Sequence, residues 1–167
     1  MKKILSLTMA LAMLGTALTG CGSKDAAAQT PAENTQQTAP VQQEQSQTEK
    51  ALALINTFAT GDTDAARSLL ADGYIQHNLA YGTGADAFID SVEYLASADV
   101  KTTVNNIRTF EDGDKVFLQT VYNFAGAGEQ VAFDIFRFDE DGKIAEHWDV
   151  METIADQSTW QNQNGKF

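Results

Sequence analysis

The chain is short of thiols, positive charge, histidine and long apolar runs, and each shortage removes a class of function. Cys21 is its single cysteine, which excludes intrachain disulfides and sites built from several thiolates. Lysine and arginine number 11 against 23 aspartates and glutamates, for a formal net charge of −12. Such a surface disfavours nucleic acid and is repelled by anionic lipid heads. The apolar run from Ile4 to Leu18 is too short to cross a bilayer as a permanent helix. No glycine-rich phosphate loop follows a strand and opens a helix, no nucleophile elbow is present, and the sequence has no internal repeat. The stretch "GTGAD", residues 82–86, more simply caps a helix. With only two histidines, His77 and His147, a metal site of the two-histidine-one-carboxylate kind would have to combine both with Asp149, and nothing in the spacing ties His77 to the other two. The expectation is no metal and no cofactor.

What is present divides the chain into four parts. Lys2 and Lys3 lead the apolar run, giving residues 1–20 the form of a secretory signal. It ends in "LTGC", which resembles a bacterial lipobox, so Cys21 is the expected site of lipidation; an ordinary signal followed by an incidental cysteine is the alternative. Without Lys2 and Lys3, 9 basic residues face 23 acidic ones, a net of −14 with neutral histidine. Contact with the membrane is therefore expected through the lipid, where two or more acyl chains suffice for stable anchoring. The expected location is the cell membrane or envelope, outside the cytoplasm. Residues 21–48 are rich in Gln, Ala and Thr, hold both prolines and offer Val41 as their one large aliphatic side chain. Such a composition cannot offset its ordering entropy and reads as a tether. Residues 49–155 suffice for one compact domain, and 156–167 form a polar tail.

Within the domain the periodicity changes once. In "TEKALALINTFATGD" the residues Leu52, Ile55, Phe58 and Ala59 fall at helical spacing, with Gly61 as a stop. Asp62 or Thr63 can cap a short second helix running through Leu70, with Gly73 as its terminator and "YIQHN" leading out. A third helix in "GADAFIDSVEYLASA" places Ala85, Phe88, Ile89, Val92 and Leu95 on one face. From Lys101 onward, "TTVNNIRTF", "KVFLQTVYNF", "EQVAFDIFRF" and "KIAEHWDV" read as four antiparallel strands of a meander, separated by Asp-Gly and Gly-rich turns. Helices followed by strands predict an α+β fold, with the helices packed against one face of a curved, mainly antiparallel sheet.

The last strand, "KIAEHWDVMETI", places His147 and Asp149 on one face by its period of two, and Glu146 and Trp148 on the other. Burying a carboxylate and an imidazole together is costly without a compensating role. A carboxylate in water is a feeble base toward carbon acids because its pKa is about 4. Desolvation raises that basicity.

These residues bring a family into view. "YIQHN", the third helix opened by a Gly-containing turn, and above all "VAFDIFRFDEDGKIAEHWDV" resemble the SnoaL-like polyketide cyclases, of the predicted aldol-condensation group, within the nuclear transport factor 2-like superfamily of cone-shaped α+β domains. The resemblance covers residues 50–154. It implies an intramolecular aldol ring closure without metal or organic cofactor, in which an Asp takes an α-proton and the enolate attacks a carbonyl of the same small hydrophobic substrate. The matching base is Asp149, in "EHWD". His147, and by the same resemblance His77 and Asp134, would be its pocket partners, with His147 or His77 donating to the enolate oxygen. Tyr74 and Tyr81 would close the pocket mouth. "METI" departs from the family's usual exit after "HWDV".

Local alternatives stand beside each role. Asp149 can pair with Arg137 or Lys143, His147 and His77 can be satisfied structural histidines, Asp134 can pair with Arg137 on its own strand, and the tyrosines can be core. The superfamily holds enzymes and binders alike. Two functions therefore remain open: a cyclase or isomerase acting through Asp149, and a tethered module that binds a small hydrophobic ligand or a protein. Pairing into a homodimer is compatible with either.

Overall fold

The computed structural model describes residues 44–167. The expected signal, Cys21 and the tether up to residue 43 lie outside the described residues. Among the described residues no helix is long and apolar enough to cross a membrane.

Helix α1 (Gln47–Thr60) begins ahead of the expected domain start at Glu49 because Ser46 and Glu49 form a capping box. The Ser46 hydroxyl accepts from the Glu49 N–H at 3.2 Å, and the Glu49 carboxylate accepts from the Ser46 N–H at 2.7 Å. Two of the helix's free N–H donors are thereby satisfied. The buried stripe is Ala51, Leu54 and Ile55, with Phe58 packed beside it, so the helix is rotated slightly from the expected face. At its end Gly61 adopts φ 75°, and a Cβ there would come within 2.7 Å of the Ala96 Cβ. Only glycine serves both the left-handed turn and the close approach of the third helix.

Helix α2 (Thr63–Leu69) is capped by the Asp62 side chain, which accepts from the Ala65 N–H at 2.9 Å. It stops earlier than expected. Leu70 is already extended, and strand β1 (Leu70–Gln76) runs through Gly73 instead of ending a helix there. Helix α3 (Ala85–Ser97) buries Phe88, Ile89 and Val92 as its stripe predicts. Strands β2 (Thr103–Asp112), β3 (Lys115–Asn123), β4 (Gln130–Phe138) and β5 (Ile144–Thr153) form the expected antiparallel meander.

The sheet has five strands and not four, in the order β1-β5-β4-β3-β2, because β1 adds to β5 in parallel. The fold is α+β, with three helices over one mixed sheet. Leu54, Ile55 and Val92 from the helices meet Val116, Leu118, Phe136 and Ile144 from the sheet, all almost fully buried. Each such side chain contributes about 1.5–3 kcal/mol on burial.

The other face of the sheet is barer. Phe110, Phe133 and Val150 are 63%, 56% and 73% exposed there. The expected polar tail returns to this face: Gln119 Nε2 donates to the Lys166 carbonyl at 3.0 Å, and the Lys166 ammonium pairs with Glu152 at 2.5 Å.

Candidate functional site

Between the helices and the inner face of the sheet lies a cavity of about 680 Å³. Its walls include Phe58, Phe88, Leu95, Phe124 and Met151, and the sheet supplies one cluster of polar groups: Tyr74 and Gln76 from β1, Tyr122 from β3, Asp134 from β4, and His147 and Asp149 from β5. The register explains the cluster. Asp134 stands opposite Asp149, Phe136 opposite His147, and Gln76 opposite His147 across the parallel pair. Residues opposed across a sheet share a face.

His147 is 7% exposed, Asp134 4%. The His147 ring stacks on Phe136 with centroids 4.4 Å apart, which fixes its plane. Its Nε2 lies 3.3 Å from Asp134 Oδ1, and the Tyr122 hydroxyl donates to Asp134 Oδ2 at 2.9 Å. Its Nδ1 faces Gln76 Nε2 at 3.0 Å. Gln76 settles the tautomer. Its Oε1 accepts from the Asn78 N–H at 2.9 Å, so its amide nitrogen is the group turned toward His147 and Tyr74. Nδ1 must then accept, which puts the imidazole proton on Nε2, directed at Asp134. Both nitrogens of His147 are thus engaged by protein groups, and the donor to a bound ligand has to be sought elsewhere.

Tyr74 meets that need. Its ring lies edge-on to Phe88, the residue is 2% exposed, and its oxygen accepts from Gln76 Nε2 at 3.3 Å. Its own proton has no acceptor among the described residues. Burial, then the charges of Asp149 and Asp134, hold its phenol well above the ordinary value, so the proton stays on oxygen. Tyr81, 48% exposed at the cavity wall, is raised in the same direction by burial and then by Asp149.

Asp149 is half-buried and has one oxygen occupied, with Asn78 Nδ2 donating to Oδ1 at 2.6 Å. Burial raises its pKa above the ordinary carboxylate value and Asp134 pushes the same way, while His147 and the Asn78 hydrogen bond oppose them. The net result is a carboxylate more basic than one in water.

His77 is the clear correction. The backbone alternation that turns Tyr74 and Gln76 inward turns His77 outward, where it stacks on Trp148 at 4.4 Å and bonds Glu146 at 2.9 Å. It is no pocket partner of Asp149. The metal set that joined both histidines to Asp149 fails for the same reason. A different trio, Asp134, His147 and Asp149, has ligand atoms within 4.8 Å of one another. A cation on His147 Nε2 would move the proton to Nδ1, where it would meet the Gln76 amide donor. The Gln76 amide therefore disfavours a metal on Nε2.

The local ion pairs weighed for Asp149 and Asp134 do not form. Arg137 lies on the outer face and binds Glu146 through both Nε and Nη2. Lys143 bonds the Ser68 carbonyl. Three contributors went unread in the sequence: Gln76, Asn78 and Tyr122. For Gln76 the signal was available, since it stands two residues from Tyr74 and must share its face in any strand.

A cone of three helices on a mixed sheet, closing an apolar cavity with acid and imidazole side chains on the sheet, defines a nuclear transport factor 2-like α+β domain. The sequence profile of the SnoaL-like domain matches residues 51–147, more than half of the chain. The chain belongs to the SnoaL-like domain family. No curated protein sequence matches it. Among solved structures it is similar to an NTF2-like protein of unknown function from Cytophaga hutchinsonii, with TM-score 0.57, 17% identity, and coverage of 67% of this chain and 95% of that one. It is also similar to IdmH, a proposed polyketide cyclase from Streptomyces antibioticus, with TM-score 0.52, 18% identity, and coverage of 65% and 93%. An LEH-like epoxide hydrolase of M. tuberculosis matches with TM-score 0.54, 18% identity, and coverage of 62% and 80%. At these identities the likeness is one of fold.

Proposed function

We propose that the chain is a SnoaL-like cyclase or isomerase that acts by proton abstraction from a small carbonyl compound, with Asp149 as base and Tyr74 as the donor to the developing enolate oxygen. The observation that carries this reading is that both line one cavity: a carboxylate made more basic by burial, and a buried hydroxyl that feels its charge and whose proton has no acceptor among the described residues. Asp149 takes the α-proton, and the C–H electron pair becomes the enolate, stabilised by the Tyr74 O–H. The enolate carbon then bonds to a second carbonyl of the same molecule, and the resulting alkoxide recovers the proton from Asp149. Asn78 holds the base, while Gln76 orients Tyr74 and His147.

The test is exchange of α-hydrogen for solvent deuterium in an aryl β-keto ester such as ethyl benzoylacetate. Asp149→Asn is expected to abolish exchange with the fold intact. Tyr74→Phe should slow it roughly 100-fold or more, the scale of one lost preorganised donor. Exchange unchanged in Asp149→Asn would reject the reading and leave a module that binds a hydrophobic ligand without turning it over. The lipobox-like placement of Cys21 supports that second reading, because a lipidated Cys21 would hold the domain outside the cytoplasm. Mass spectrometry of the mature N-terminus tests the anchor. The exposed Phe110, Phe133 and Val150 on the outer face support pairing into a homodimer, which sedimentation tests.

A further inference from the structure

The charge of the cavity constrains what can enter it. Asp90, Asp134 and Asp149 line it, and among the described residues no lysine or arginine does. The imidazole of His147 is engaged at both nitrogens. An anion would have to shed its water beside three carboxylates with no cation to receive it, at a cost that apolar contact does not repay. The opposite charge meets favourable groups at the rim. Asp90 and Tyr94 stand four residues apart on α3, so their side chains are neighbours on one helix face, and both are exposed while lining the cavity. A carboxylate and the face of an aromatic ring at one point attract an organic cation together. Across the whole chain the net charge of −12 draws cations toward the surface.

We propose that the cavity takes a lipophilic organic cation, a protonated amine or quaternary ammonium on an apolar body. The charged end lies at Asp90 and Tyr94, and the body lies against Phe58, Phe88 and Phe124. This names the charge class of the ligand in the proposed function. It rests on the cavity being the ligand site but not on turnover at Asp149, and a carbonyl substrate of this class is an amino ketone or amino ester. The carbonyl end reaches Asp149 and Tyr74 while the nitrogen stays at the rim, so the base keeps its unpaired oxygen for the α-proton.

Three probes of one ring system separate the possibilities: (2-naphthylmethyl)trimethylammonium, 2-acetylnaphthalene and 2-naphthylacetate, each titrated calorimetrically against the full chain. The ammonium probe is expected to bind at least tenfold tighter than the acetate and tighter than the ketone. Asp90→Asn, on an exposed helix face and outside the proposed catalytic pair, should weaken the ammonium about fivefold and leave the ketone unchanged. Acetate binding as tight as ammonium, ketone binding tightest, no binding of any probe, or equal weakening of ammonium and ketone by Asp90→Asn would each overturn the proposal. Loss of the catalytic reading looks different: deuterium exchange persists in Asp149→Asn while the preference for the cation stands.

Discussion

His77 and His147 are neighbours across β1 and β5, joined by the His77 N–H donating to the His147 carbonyl at 2.9 Å. Their rings nevertheless meet different surroundings. On the outer face His77 stacks on Trp148 and bonds Glu146, which also pairs with Arg137, and the imidazole is 37% exposed. On the inner face His147 stacks on Phe136, bonds Asp134 and receives Gln76, and its side chain is 9% exposed. Outside, a carboxylate finds an arginine, and water covers what remains. Inside, two carboxylates share a site with no arginine, and neutral donors replace it: Tyr122 on Asp134 and Asn78 on Asp149. The same residue types therefore form a surface charge cluster on one side of the sheet and a buried group oriented by neutral donors on the other.

The difference is sharpest when one acid is removed from each side. Asp134→Leu leaves the Tyr122 hydroxyl and the His147 Nε2–H without acceptors in the interior, and is expected to cost about 2–4 kcal/mol of stability. Glu146→Gln, on the outer face, keeps a hydrogen-bond acceptor in water's reach and should cost less than about 1 kcal/mol. Urea unfolding of the two variants beside the parent chain measures both. Similar losses in the two would mean that the inner cluster is as well solvated as the outer one, and that its special status is mistaken.

A smaller change addresses the proton on His147. Gln76→Glu replaces the one donor to Nδ1 among the described residues by an acceptor, so Nδ1 must carry a proton to keep the contact. The expected result is a protonated Nδ1 in the nitrogen-15 spectrum of His147, no change at His77, and a loss of roughly 1 kcal/mol. A His147 Nδ1 that is already protonated in the parent chain would show the tautomer to be the reverse of the one drawn from Gln76.

Much of the inner face was legible because strands alternate. "EHWD" is enough to place His147 and Asp149 together and Trp148 opposite, and the structure agrees. The same parity separates Asp134 from Arg137, three residues apart and hence on opposite faces, so closeness along the strand does not pair them. Strand β1 was hidden for a different reason. Its burial follows no clean period of two, Asp72 and Gly73 interrupt its apolar residues, and its pairing with β5 shifts register between Leu70 and Ile75. Without a strand over residues 70–76, spacing along the chain ties Gln76 to Tyr74 but assigns neither a face, and leaves His77 and Asn78 unplaced. Tyr122 was out of reach for a third reason: its bond to Asp134 depends on the register between β3 and β4, which is set in three dimensions and not by spacing along the chain.

The gentlest way to separate the two faces is pH, because their acids are linked to stability with opposite sign. Hydrogen bonds from His77 and then Arg137 lower Glu146 below its ordinary 4.5. Its contribution is therefore full above 4.5 and is lost as pH falls through the lower folded value. Burial raises Asp149 above its ordinary 3.8. Its ionisation opposes folding, and that penalty is absent below 3.8 and grows as pH rises toward the raised value. Acidifying from pH 6 to 4 should accordingly relieve the inner face, whereas the outer contribution begins to fall only below 4.5. Further acidification should remove the outer contribution alone. In Asp149→Asn the gain between pH 6 and 4 should disappear, and in Glu146→Gln the loss below about pH 4 should shrink; thermal unfolding across that range reads both. If Asp149→Asn left the profile between pH 6 and 4 unchanged, Asp149 would titrate as it does in water, and the burial that makes it a credible base would be refuted together with the contrast between the two faces.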